Sequence, residues 1–239
     1  CCTAWYALGA GCPCLSIGMI LCSTIIVKGK EPDRHEARRS AIVAAARKAF
    51  LRDGYGQTSM SSIAADVGGS KTTLWNYFPS KEDLFAAVVD DQVERYGEAL
   101  RLELPEDADL PETLTALGVS ILTTILRPQI VALHRVVVGE AGRFPELGRM
   151  LWDRGAQRGQ KRTEVWLRLQ MDKGRLRVAD PQSAASHFLG LCQSGSFYRH
   201  LLGASARPKR ETIEAEIRLA VRIFLSAYRP DHAQSLAGS

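Results

Sequence analysis

The chain has 239 residues, 46% of them hydrophobic, enough for a substantial core in one or two domains. A net charge of +5 and a pI near 9.0 are compatible with a polyanionic partner without requiring one, because the placement of charge decides more than its total. Five of the six cysteines (Cys1, Cys2, Cys12, Cys14 and Cys22) lie in the first 22 residues and only Cys192 in the body, which excludes disulfides spread through the fold and points to a reducing, cytoplasmic compartment.

Cys1 to Val27 carries no charged residue and runs apolar from Leu15 to Val27. That run is short for a membrane span and is interrupted by Ser and Gly. It also lacks the basic leader of a signal peptide. Cys12 and Cys14 form a C-x-C with no His nearby and no second pair at metal spacing. Residues 1–29 are read as an unassigned leader outside the working fold, with the natural start at Met19 or at a non-Met start near Val27. Membrane association ranks second and metal binding last. The reading includes no metal, no cofactor and no membrane partner.

Charge arrives at Lys28, and KGKEPDRHEARRS reads as a flexible, solvated approach. From Arg38 onward Ile42, Val43, Ala46, Ala49 and Phe50 recur at helical spacing. Gly54 is placed to end this helix as a left-handed cap. Arg34, Arg38 and Arg39 could reach phosphates; a solvated helix face is an equal alternative for each one singly.

The informative stretch is Thr58–Lys81, within which Val67 through Lys81 contains no Asp or Glu. Thr58 or Ser59 can cap a helix that buries Met60, Ile63, Ala64 and Val67. Ala64 is small where a following helix must approach, Gly68 follows at +4 for a turn through positive φ, and Leu74 at +10 can pack back on Ile63. That spacing is a helix-turn-helix. Gly69 departs from the pattern, since such turns more often bury a Val there.

Ser70 reads as the N-cap of the second helix, which puts Lys71, Thr72 and Thr73 in its first turn. A cation there is wrong-signed for the helix dipole by roughly 0.3–1 kcal/mol. Lys81 repeats the irregularity behind Ser80, which pairs with Asp83 as in a capping box. Both lysines therefore call for an anionic partner such as phosphate. In helix-turn-helix docking the start of the second helix meets base edges, so Lys71, Thr72 and Thr73 are the base-proximal candidates. Trp75, Asn76 and Tyr77 are assigned to sugar, phosphate or thymine methyls. Core packing is the alternative for Trp75 and Tyr77, and Leu74 and Phe78 are core residues.

Thr58, Ile63-Ala64, Gly68-Gly69-Ser70-Lys71, Thr73-Leu74-Trp75-Asn76-Tyr77-Phe78 and Lys81-Glu82-Asp83-Leu84-Phe85 together resemble the N-terminal domain of TetR-like transcriptional regulators. Val67, Gly69, Thr72 and Trp75 depart from the usual Ala, Val, Gly and Tyr. The resemblance implies backbone contacts by Thr58, Trp75, Tyr77 and Lys81, and sequence choice by Lys71 to Thr73. The candidate DNA-contact set is thus Thr58, Ser59, Ser70, Lys71, Thr72, Thr73, Trp75, Asn76, Tyr77 and Lys81.

Beyond Leu84 the pattern predicts successive helices, which makes the chain all-α: a helix-turn-helix domain over 30–81, a larger helical regulatory and dimerisation domain over 82–230, and a flexible tail over 231–239. One long helix is expected to carry Leu84, Phe85, Val88, Val89, Gln92, Tyr96 and Leu100. Ile130–Val138 reads as a buried central helix, with His134 read as a core histidine ahead of a ligand contact. Gly155–Thr163 is expected to be exposed or kinked, and Pro181 to start a helix after the GRLRVAD turn.

The last two helices, around Ala184–Tyr198 and Ile213–Tyr228, have broad apolar faces suited to a dimer or to packing inside one subunit. HRVVVGEAGRFPELGRMLWDRG and GRLRVADPQSAASHFLGL resemble the C-terminal domain of the AefR-like branch. This implies a homodimer on a near-palindromic double-stranded DNA operator and a small-molecule inducer pocket, for which His134, Trp152, Trp166, Phe188 and Cys192 are candidates. The expected function is a repressor released by its ligand. A non-inducible or activating regulator is the alternative. A helical enzyme ranks lower, because no nucleophile elbow, phosphate-cradling Gly loop or H-E-x-x-H occurs.

Overall fold

The structure is a computed structural model, and it describes residues 33–230. The leader and the tail, with the expectations attached to them, lie outside the described residues. Helices make up the architecture, and no strand occurs among the described residues.

The helix-turn-helix domain, or reader, consists of α1 (Arg34–Asp53), α2 (Met60–Asp66) and α3 (Lys71–Tyr77). Helix α1 begins at Arg34, earlier than the apolar pattern indicates, because its first turn is solvated and Asp33 accepts from the His35 N–H. Ser59 and Ser62 form a reciprocal capping box at α2, Ser70 caps α3 through the Thr73 N–H, and Ser80 caps the next helix through the Asp83 N–H. Gly68 turns the chain at φ +66°. Gly54 also has positive φ, +84°, but with extended ψ, so it breaks the helix without being a left-handed cap.

Helix α4 (Lys81–Tyr96) leaves the reader and enters the body. It stops at Gly97, short of the expected Leu100, and a single turn, α5 (Glu98–Arg101), follows. A Cβ at Gly97 would lie 2.3 Å from the Val93 carbonyl, so this break needs Gly. The body continues with α6 (Leu110–Ile125), α7 (Pro128–Glu140) and α8 (Pro145–Leu151). A π-helical turn, Trp152–Ala156, then leads without interruption into α9 (Gln157–Asp172), since Leu151, Ala156 and Gln157 all keep helical dihedrals. The segment expected to be exposed or kinked is therefore a bulge at the edge of a continuous rod, and Thr163 within it is buried. Helices α10 (Pro181–Gln193), α11 (Ser196–Leu201) and α12 (Arg210–Tyr228) complete the body, with Pro181 at a helix start capped by Asp180.

The described residues form two hydrophobic cores. One joins α6, α9, α10 and α12 around Leu114, Leu122, Phe188, Ile217 and Phe224. The helices approach closely at Gly118, where an added Cβ would meet Ile217 at 2.7 Å and the Cys192 sulfur at 3.1 Å. The other starts in the reader with Ile42, Phe50, Tyr55, Ile63 and Leu74, then takes in Leu84–Val89 of α4 together with Leu133, Val137 and Leu147 of the body. The reader's core thus crosses the Lys81–Glu82 position. Helix α7 supplies part of it but is not buried all round as expected, because Val138 is 68% exposed.

No single described helix is long and apolar enough to cross a membrane, although α6 and α7, bent by 68°, together have the length and composition.

Candidate functional site

Two places carry chemistry: the outer face of α3 and a cavity inside the body. On α3, Leu74 is buried while Lys71, Thr72, Trp75 and Asn76 are exposed, Trp75 by 45%. Periodicity explains this, since one apolar stripe holds a short helix down and the other faces point out. The Thr73 hydroxyl lies 2.9 Å from the Ser70 Oγ, and the two steady the first turn. Ser59 and Ser70 are exposed at the helix starts they cap. Tyr77 is half-buried and packs against the His35 ring, tilted by 30° at a centroid distance of 4.5 Å, so packing and outward presentation both apply to it.

Arg38 and Arg39 of α1 border this face. Arg39 lies over the Phe78 ring at 5.3 Å. The Arg38 guanidinium lies where a side chain at Gly69 would go, 2.6 Å from its hypothetical Cβ. The departure from Val at this turn therefore makes room for a cation beside α3.

Two of the proposed contacts differ from expectation. Thr58 is 3% exposed, and its hydroxyl donates to the Gly54 carbonyl at 2.7 Å, so the side chain braces the turn before α2 and does not face outward. Lys81 is half-buried, with its ammonium 4.2 Å above the Tyr55 ring. That ring is the partner for a wrong-signed lysine that sequence spacing could not find. Burial lowers the Lys81 pKa, against the opposing pull of Glu140 and Glu82. Tyr55 is itself 1% exposed, donates its hydroxyl to Glu82 at 3.0 Å, and packs against Phe50, Phe85 and Phe144.

The cavity has a volume of about 420 Å³, within the usual range for small-molecule sites. Helix α4 lines it with Gln92, Val93 and Tyr96, α7 with Ile130, Leu133 and His134, and the π turn with Trp152 and Gly155. Of the candidates from sequence, His134 and Trp152 do line it. Phe188 and Cys192 belong to the core beyond it, at 0% and 2% exposure. Burial pushes the Cys192 thiol up to about 12. Trp166 donates its indole N–H to the Pro105 carbonyl at 3.3 Å and borders a separate open groove with Arg158, Lys161, Arg162 and Arg168. Large aromatic and sulfur side chains were expected to line a pocket, but their apolar bulk makes them better core.

Gln92, Thr124, Gln193 and Tyr198 are lining residues that the pattern did not single out. A polar Gln inside the α4 stripe was the available signal. Its side chain is 1% exposed, and the amide nitrogen donates to Asp91 at 3.2 Å, while its Oε1 has no partner among the described residues. His134 Nδ1 lies 2.9 Å from the Ile130 carbonyl, and burial lowers its pKa, so the ring is neutral with its proton on Nδ1.

Residues 42–88 match the model for bacterial regulatory proteins of the tetR family, and residues 112–230 match the AefR-like transcriptional repressor C-terminal domain. The solved structure of the flavonoid-responsive regulator FrrA is 34% identical with a TM-score of 0.72, covering 81% of this chain and 98% of that one. The chain belongs to the TetR family.

A TetR-family regulator from Pseudomonas syringae pv. tomato has a TM-score of 0.66 at 29% identity, covering 80% of this chain and 96% of that one. Among relatives by sequence, the regulator RutR of Escherichia coli K12 is 43% identical over 61 residues, 26% of this chain and 29% of RutR. The DNA-binding transcriptional repressor TetR of Mycobacteroides abscessus is 40% identical over 57 residues, 24% of this chain and 30% of that protein. These two relatives are matched over less than a third of their own length. The TetR family is one of regulators, not enzymes, and the catalytic alternative falls away with that membership.

Proposed function

We propose that this TetR-family chain is a sequence-specific, DNA-binding transcriptional repressor that acts as a homodimer and leaves its operator when a small molecule fills the body cavity. The observation that carries the DNA part is the outward face of α3. Lys71, Thr72 and Asn76 stand exposed, with no side-chain hydrogen bond or ion pair among the described residues, on an acid-free stretch bordered by Arg38 and Arg39. Lys suits guanine O6 and N7, and the Thr methyl suits thymine. Ser59, Ser70, Thr73, Trp75 and Tyr77 surround them as positioning contacts. Lys81 acts from its seat on Tyr55, and Thr58 acts through the turn it braces.

Dimerisation is supported by α12. Ala215, Leu219, Ile223 and Ala227 recur every four residues on its exposed side, opposite the stripe that faces the core, with Leu219 and Ile223 at 49% and 46% exposure. Helix α10 packs beside α12, so the two can present one helical pair to a partner copy. A two-fold dimer reads a near-palindrome with half-sites about one helical turn, or a multiple of it, apart. Cytoplasmic residence goes with this function.

In vitro selection from a random duplex pool, followed by light scattering of the complex, tests the reading. An enriched two-fold symmetric site bound by a dimer is expected. Salt-sensitive binding that enriches no sequence would overturn it.

A further inference from the structure

The cavity residues define a ligand by what they leave unsatisfied. None of its lining residues is Asp, Glu, Lys or Arg, and His134 is neutral. A carboxylate or ammonium brought there would lose its hydration and gain no counter-charge, so the cavity disfavours charged ligands. The walls are apolar and aromatic, with Tyr96, Trp152 and Tyr198 among them.

Among the described residues the buried polar atoms without a partner include Gln92 Oε1 and the Thr124 hydroxyl, and both of these residues line the cavity. The orientation of Gln92 is not arbitrary. Asp91 only accepts, so the amide must point its NH2 toward it, and the carbonyl oxygen is left as the free acceptor. His134 has the same character, because its Nδ1 proton is used on Ile130 and Nε2 remains an acceptor. An unsatisfied buried acceptor destabilises the fold, and a ligand carrying a donor would recover that loss. Resting on the regulatory reading above, we infer that the cavity takes an uncharged, largely apolar aromatic molecule whose hydroxyl group donates a hydrogen bond to Gln92 Oε1, with the Thr124 hydroxyl as a second point of recognition.

Titration calorimetry on the full chain without DNA tests this with three probes of one shape: para-phenylphenol, its methyl ether and para-phenylbenzoate. The phenol is expected to bind at least tenfold more tightly than the ether, and the benzoate to give no saturable heat. Gln92→Met, which keeps the length of the side chain, should remove the preference for phenol over ether. Thr124→Val, a near-isosteric change, gives a second reading if Gln92→Met does not fold, and should weaken the phenol severalfold. Equal affinity for phenol and ether, tighter binding of the benzoate, or no binding of the phenol overturns the inference, as does an undiminished preference for phenol over ether in Gln92→Met. Because no DNA is present, these outcomes are separate from failure of the regulatory reading, which shows instead as DNA binding that no cavity ligand changes.

Discussion

Glu140, in the last turn of α7, accepts a hydrogen bond from the Gly56 N–H at 2.6 Å. The helix whose Ile130, Leu133 and His134 line the cavity therefore ends on the turn joining the first two reader helices. A hypothetical Cβ at Gly54 or Gly56 would meet the same carboxylate at 2.6 or 2.8 Å, so this turn is glycine-rich where Glu140 enters it.

A bond to a carboxylate in a partly buried place contributes about 1.5–3 kcal/mol. Glu140→Ala should therefore lower the melting temperature and speed hydrogen exchange at the Gly56 amide by at least about tenfold, a change equivalent to 1.4 kcal/mol. An unchanged exchange rate would mean that the bond does not hold the turn.

A second connection runs through Asp91 of α4. Its carboxylate accepts from Arg47 of α1 at 2.7 Å, from Arg95 at 2.6 Å and from the cavity residue Gln92 at 3.2 Å. Asp91→Ala should cost roughly 1–3 kcal/mol in denaturant unfolding, because it strands donors in a half-buried place. Arg52→Ala breaks the exposed pair with Asp53, which solvent screens, and should leave the unfolding midpoint unchanged. If the two variants unfold at the same denaturant concentration, the Asp91 network does not join reader to body.

These links show which parts were legible in the sequence. Gly68, Ser70 and Ser80 were, because a positive φ and an N-cap are local demands met within three or four residues. Thr58 was not, since spacing alone does not tell which of two adjacent hydroxyls turns inward. Lys81 was half legible. Its wrong sign at a helix start was visible, but its partner, Tyr55, is 26 residues away and is brought there by the core around Phe50 and Phe85. The cavity was least legible. Phe188 and Cys192 have the composition of a pocket wall and the position of a core, while Gln92 stands out in the sequence as a polar residue in an apolar stripe but shows its free Oε1 only once its neighbours are placed.

The Gly69–Arg38 arrangement predicts a dissociation of stability from DNA affinity. Gly69→Val restores the more usual residue, and its side chain displaces only the flexible end of Arg38. The melting temperature should hold within a few degrees while affinity for any duplex falls and the salt slope drops by about one. Unaltered affinity at every salt concentration would exclude Arg38 from the interface.

Gly118 predicts the converse. It lies on α6 against Ile217 and Cys192, where an added methyl has no room. Gly118→Ala gains helix propensity of about 0.8–1 kcal/mol but overpacks the core by about 1–3 kcal/mol. Net destabilisation in thermal unfolding is expected, with DNA specificity retained by the folded fraction. A more stable variant would show that α6 and α12 separate easily.

The most direct test of the account is the ratio of affinities for the selected duplex and a scrambled one, measured at one salt concentration for wild type, Lys71→Ala and Lys81→Ala. The exposed, unpaired Lys71 should set base choice, so its loss should cut the ratio by about 10–100-fold, equivalent to 1–3 kcal/mol. Lys81, seated on Tyr55, should weaken both duplexes alike and leave the ratio unchanged. A ratio near one in the wild type, or equal losses on both duplexes for both variants, would contradict sequence reading by α3.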